Sequence, residues 1–152
     1  VKISKTLPTP ETWEEFIKYR KNGIPCNDPS EEIQLAVVKK GSWSIHYIHN
    51  PGEKVQLAAV KRSGLAIEYI NNPSKKVQLA AVKQSSLAIE HINNPSEEVQ
   101  LAAVKKYGWN IQYIHNPSEK VQIAAVKQRR QAIQHIHNPS KKVRELFEKE
   151  IE

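Results

Sequence analysis

The sequence has little of what site chemistry usually needs. Its one cysteine, Cys26, can form neither an internal disulfide nor a multi-thiolate metal site. Such poverty in cysteine suits a reducing, intracellular compartment, so the cytoplasm is the expected location. Aspartate occurs once, at Asp28, methionine not at all, and glycine five times. The longest apolar runs are stretches such as LAVV and LAAV, far too short to span a membrane. The opening residues VKISKTLPTP lack the apolar segment of a secretory signal. No Gly-rich phosphate loop, H-E-x-x-H, G-x-S-x-G or Cys/His pairing is present, and no catalytic residue is assigned. Histidine occurs six times without a ligand set: His46 and His49 stand at i, i+3, and His115 and His137 at equivalent places in adjacent units. No carboxylate or cysteine completes either pair at a fixed spacing. Neither a metal, nor a cofactor, nor a small-molecule substrate is expected.

What the chain does have is period. Prolines fall at Pro29, Pro51, Pro73, Pro95, Pro117 and Pro139, always 22 residues apart. Five whole units span residues 29–138, and a sixth begins at Pro139. With 152 residues, 39% of them hydrophobic and 26% charged, the chain suits a folded, short array. Asn before Pro reads as an N-cap with Pro at N1, and a Glu pair such as Glu31-Glu32 or Glu97-Glu98 as a capping box. Where Lys75-Lys76 and Lys141-Lys142 stand instead, positive charge opposes the helix dipole. Helix A continues through segments such as Val99-Gln100-Leu101-Ala102-Ala103-Val104. It is apolar around most of its circumference, the mark of a helix buried between neighbours. A turn follows at Gly41, Gly64, Gly108 or Ser85-Ser86. A shorter helix B then places Ile111 and Ile114 inward.

Hydrophobic periodicity alone also fits a closed bundle, but identical units related by one constant operation stack in an open array. The expected fold is therefore all-α, an α-solenoid of five helix-turn-helix repeats. Residues 1–28 form an N-terminal segment and capping helix, with Thr9 as N-cap, Pro10 at N1, Gly23 as stop, and Trp13, Phe16, Ile17 and Arg20 on the packed side. Residues 139–152 form a C-terminal capping helix, with Val143, Leu146, Phe147 and Ile151 available for burial.

The segment PSEEVQLAAVKKYGWNIQYI resembles a family of short tandem helical repeats of unknown function, of VQLAAVKQNGWAIQYI type, seen in bacterial, phage, giant-virus and protist proteins. The resemblance covers residues 29–143, with Arg129-Arg130-Gln131 departing from the pattern in unit five. It implies a microbial or viral source and a binding role. It carries no catalytic residues.

Comparison of the five units supplies candidate binding residues. Lys39, Lys61, Lys83, Lys105 and Lys127 hold one place in every unit and form a ladder. They either meet phosphates or an acidic partner, or offset helix dipoles while their stems cover apolar surface. In helix B, Trp43 and Tyr47, or Trp109 and Tyr113, stand at i, i+4 and are expected to share a face. His46 and Gln112 point outward between them. These aromatics either recognise a partner or pack between successive units.

The net charge of +7 favours acidic partners, but it is scattered. Units one and four are neutral, while in unit five Lys120, Lys127, Arg129 and Arg130 against Glu119 give +3. The leading expectation is a non-catalytic repeat protein docking on a macromolecule, foremost a protein, in one form a phage- or microbe-encoded inhibitor of a host nuclease or defence protein. The alternatives are a nucleic-acid binder using the lysine ladder and a self-associating scaffold.

Overall fold

All units but one start their helix from serine. In the computed structural model, which describes residues 6–149, the N-caps of the long helices are Ser30, Ser74, Ser96 and Ser118, with Gly52 in unit two. The Oγ of Ser30, Ser74 and Ser118 accepts from the N–H three residues on, at Ile33, Val77 and Val121. Asparagine is therefore not the cap. Asn72, Asn94 and Asn116 instead turn the chain with φ of 49° each, a left-handed conformation that asparagine tolerates better than most residues. The Glu pairs fall at the first two helical positions rather than the third, so no capping box closes. An invariant glutamine acts in its place. Nε2 of Gln34, Gln56, Gln78, Gln100 and Gln122 donates to the carbonyl of the proline five residues back, at 2.7–3.0 Å.

The elements follow in strict alternation. After α1 (Trp13–Lys21), each unit gives one α-helix and one 3-10 helix: α2 (Glu31–Lys40) and η1 (Ser42–Tyr47), α3 (Glu53–Arg62) and η2 (Gly64–Tyr69), α4 (Lys75–Gln84) and η3 (Ser86–His91), α5 (Glu97–Lys106) and η4 (Gly108–Tyr113), α6 (Glu119–Gln128) and η5 (Arg130–His135). Helix α7 (Lys141–Lys149) follows. No strand occurs among the described residues. Each A helix packs on the A helix before and after it, on its own 3-10 segment and on that of the preceding unit. This is the expected all-α repeat array.

Helix B is thus a 3-10 helix, which changes its faces. With three residues per turn, positions i, i+3 and i+6 line one edge. Ser42, Ile45 and Ile48 are buried on such an edge, as are Gly64, Ile67 and Ile70, or Gly108, Ile111 and Ile114. The core of the array stacks these isoleucines on Val55, Ala59, Val60 and their equivalents in each A helix.

The N-terminal helix starts three residues later than Thr9 suggests. Thr12 is its N-cap, its Oγ1 accepting from Glu15 N–H, and Pro10 lies upstream. Gly23, at φ 65°, closes it. Phe16 is wholly buried, and Arg20 reaches Nε2 of His49 at 2.5 Å. At the other end α7 buries Val143, and Arg130 holds it by donating to the Phe147 carbonyl at 3.0 Å. Residues 1–5, together with Glu150, Ile151 and Glu152 of the expected C-terminal cap, lie outside the described residues.

Candidate functional site

The interfaces between units consume much of the charge that the sequence offers. The first helical residue of one A helix pairs with the second helical residue of the next. Glu31 meets Lys54, Glu53 meets Lys76, Glu97 meets Lys120 and Glu119 meets Lys142, at 3.1–3.7 Å. Between units three and four the polarity is reversed and Lys75 meets Glu98. Lys75, Lys76 and Lys142 therefore answer neighbouring helices, which offsets their poor fit to the dipole, while Lys141 pairs with Glu145 within α7. Serine and lysine partners hold Glu53 and Glu119 below the usual carboxylate range. The Ser74 hydroxyl is the larger cause for Glu53, and Lys142 for Glu119.

At the helix C-termini a second set of ties follows. Gly64 N–H donates to Gln84 Oε1, and Gly108 N–H to Gln128 Oε1, both at 2.6 Å. Lys106 turns its ammonium onto the Lys83 and Gln84 carbonyls at 2.6 and 3.1 Å, capping α4 from the next unit. Arg129 and Arg130, expected at a binding surface, are likewise engaged within the chain. Arg129 lies over the Trp109 ring at 5.2 Å and Arg130 over Phe147 at 4.5 Å.

The aromatic residues of helix B do not form the pairs expected at i, i+4. The 3-10 geometry puts Trp43 on one edge with His46 and His49, and Tyr47 on another. The two tryptophans instead meet the residue 26 positions on in the next unit: Trp43 packs edge-on to Tyr69 at 5.6 Å, and Trp109 against His135 at 4.7 Å. Trp13 of α1 takes the same part against Tyr47 at 6.3 Å. His46 packs on both Tyr47 and Tyr69. All four of Trp43, Trp109, Tyr47 and His46 thus make aromatic contacts within the chain, while Trp43 and Tyr47 remain 48% and 40% exposed. Tyr113 is half-buried against the core, and Gln112 is exposed. Gln112 lines a polar hollow of about 350 Å³ with His115, Asn116, His135 and His137. Among the described residues, no three His, Cys, Asp or Glu side chains group closely enough to hold a metal ion.

The lysine ladder is different. Lys39, Lys61, Lys83, Lys105 and Lys127 sit in the last turn of α2 to α6. All five are exposed, and their ammonium groups make no hydrogen bond or ion pair to another described residue. Beside them runs a row missed in the sequence. Helix A is not buried on all sides: Leu35, Leu57, Leu79, Leu101 and Ile123 are only half-buried. The signal for it was present, since this position holds Leu or Ile in every unit while the buried positions prefer Val and Ala.

Between α3 and α4 these residues form an open trough of about 830 Å³. Its floor is Leu57, Leu79 and Ala80, with Lys61 and Lys83 at one end and Lys75 and Lys76 at the other. The pattern recurs between α5 and α6, where Leu101, Ile123 and Ala124 lie among Lys105, Lys120 and Lys127 around about 360 Å³. No helix among the described residues is long and apolar enough to cross a membrane. No protein-family model, curated protein or solved structure matches the chain.

Proposed function

We propose that this chain is a non-catalytic helical-repeat binding protein whose partner is another protein, docked along the outer face of the A helices. The observation that carries this reading is the pairing of two rows on that face: five lysines without a partner among the described residues, beside half-buried Leu57, Leu79, Leu101 and Ile123. Part of the positive charge elsewhere is spent within the fold, on neighbouring carboxylates, carbonyls and aromatic rings, whereas Lys40 and Arg62 beside the ladder add to its free charge among the described residues. Unspent charge beside apolar carbon suits a surface that carries both acidic and apolar side chains. Protein interfaces combine an apolar centre with a charged rim in this way. Nucleic acid would use the ladder but not the leucines, since its interfaces are polar and dominated by phosphate. An inhibitor encoded by a phage or microbe, docking on a nuclease or defence protein of its host, is one form that such a binder takes.

The test is capture from a native lysate, with and without nuclease treatment, by the wild-type chain and by Lys61→Glu/Lys83→Glu/Lys105→Glu. The expected result is a set of proteins retained after nuclease and lost with the reversed ladder. Capture that disappears with nuclease, or that is indifferent to the ladder, overturns the reading.

A further inference from the structure

We infer that the trough between α3 and α4 is a seat for an acidic amphipathic helix of about three turns, running antiparallel to α4. The inference deepens the protein-binding reading above and rests on it.

The shape comes first. The α4 lining residues Lys75, Lys76, Leu79, Ala80, Lys83 and Gln84 step by four along one side of that helix, so the trough follows its whole length. Ten residues of α-helix span about 15 Å, which admits about three turns of an occupant helix. Leu57 and Leu79 flank a small residue, Ala80, and leave a furrow between two helices. Such furrows accept the side-chain ridges of a third helix.

An extended peptide fits poorly. The described residues hold no strand and so offer no edge to pair with, and its backbone groups would lie unpaired over leucine carbons. A helix satisfies its own backbone and presents apolar side chains at i, i+3, i+4 and i+7 to the floor.

Charge then sets the composition and the direction. Lys75 and Lys76, at the end where α4 begins, are already paired with Glu98 and Glu53. Lys61 and Lys83, at the end where α3 and α4 finish, carry no partner among the described residues. The free positive charge is therefore one-sided, and the carboxylates of the occupant gather there. A helix tolerates acidic residues best in its first turn, so its N-terminus lies over Lys61 and Lys83. That placement also sets its dipole against that of α4.

The experiment selects from a random library of 16-residue displayed peptides against the full chain. Enriched sequences should carry Leu, Ile or Phe at helical spacing behind an acidic first turn. A synthetic copy should gain helicity on binding. Lys61→Glu/Lys83→Glu should weaken that copy at least tenfold, and a peptide with its acidic turn changed to lysine should regain affinity for this variant. Leu79→Ser, a half-exposed position, should weaken both peptides while the circular dichroism of the protein stays unchanged. The inference is overturned if selection enriches nothing, or enriches sequences without acidic residues. It is equally overturned if phosphatidylserine vesicles or oligo(dT) bind more tightly than the peptide, or if the variants bind it as well as wild type. Ladder-dependent capture of proteins alongside a failed selection would remove the helical occupant and leave the protein-binding reading standing.

Discussion

Glycine and glutamine show how single side chains hold the units together. A Cβ placed on Gly64 would lie 2.4 Å from the Ala81 carbonyl oxygen, and one on Gly108 2.5 Å from that of Ala125. Backbone oxygens at the end of a packed helix cannot move away cheaply. At Gly41 the nearest atom is the Ser44 hydroxyl at 3.8 Å. Gly64→Ala and Gly108→Ala are therefore expected to cost about 1–3 kcal/mol each, as other overpacked sites do. Gly41→Ala should be tolerated, and urea unfolding of the three variants checks the contrast. The three glycines look alike in the sequence because each marks a turn. Their register in the repeat separates them: Gly64 and Gly108 open their 3-10 segments against the next unit's helix end, whereas Gly41 stands one place earlier, at the end of α2. The invariant glutamine has no evident role in the sequence beyond being a polar residue in a largely apolar helix. Its bond to the proline carbonyl explains its constancy, and Gln78→Ala should lose about 1 kcal/mol, read as a fall in denaturation midpoint.

At the level of elements, the A helices were legible and the B segments only partly so. Val, Ala and Val at fixed places point the A helices inward, and Ile111 and Ile114 are inward as expected. An i, i+3 pair fits both an α-helix and a 3-10 helix, so the sequence left the face of Trp43 and Tyr47 undetermined. Assuming 3.6 residues per turn put them together; three per turn separates them. Equally, the lysines that open α4 and α7 oppose their own helix dipoles, and Lys75, Lys76 and Lys142 find their carboxylates on adjacent helices. That suggests a direct test. Lys75→Glu alone places an acid against Glu98 and should lower the melting temperature; Lys75→Glu with Glu98→Lys should restore it. Because these groups are exposed, the difference should shrink in 1 M salt. The acid side of the same ties is predictable in sign. Glu53 and Glu119 titrate below their ordinary value of 4.5 in the folded chain, so their contribution is complete above that pH. It is lost as pH falls through their lower folded-state values. Thermal melts between pH 6 and pH 2.5 should show stability declining in that window, more steeply in wild type than in Glu53→Gln/Glu119→Gln.

Across the whole molecule, stability is built from unit-to-unit interfaces, and those interfaces are not interchangeable. The first and second helical residues read Glu-Glu, Glu-Lys, Lys-Lys, Glu-Glu, Glu-Lys and Lys-Lys from α2 to α7. Each first residue is opposite in sign to the second residue of the following helix, at all five junctions. A 22-residue period by itself implies that any unit is dispensable. The charge order implies otherwise. Removing residues 51–72 would bring Glu31 opposite Lys76 and keep the signs matched. Removing residues 73–94 deletes the same length of chain but brings Glu53 opposite Glu98. Both shortened arrays retain α1 and α7, and both leave every other first-to-second-residue pairing intact. The chain lacking residues 51–72 should therefore melt at the higher temperature in low salt, and the gap should narrow as salt screens the new Glu–Glu contact. Calorimetry of the two deletions across 0.02–1 M salt decides it: equal melting temperatures throughout would mean that the ion pairs decorate the junctions, whereas a salt-dependent gap would mean that they fix which unit stands next to which.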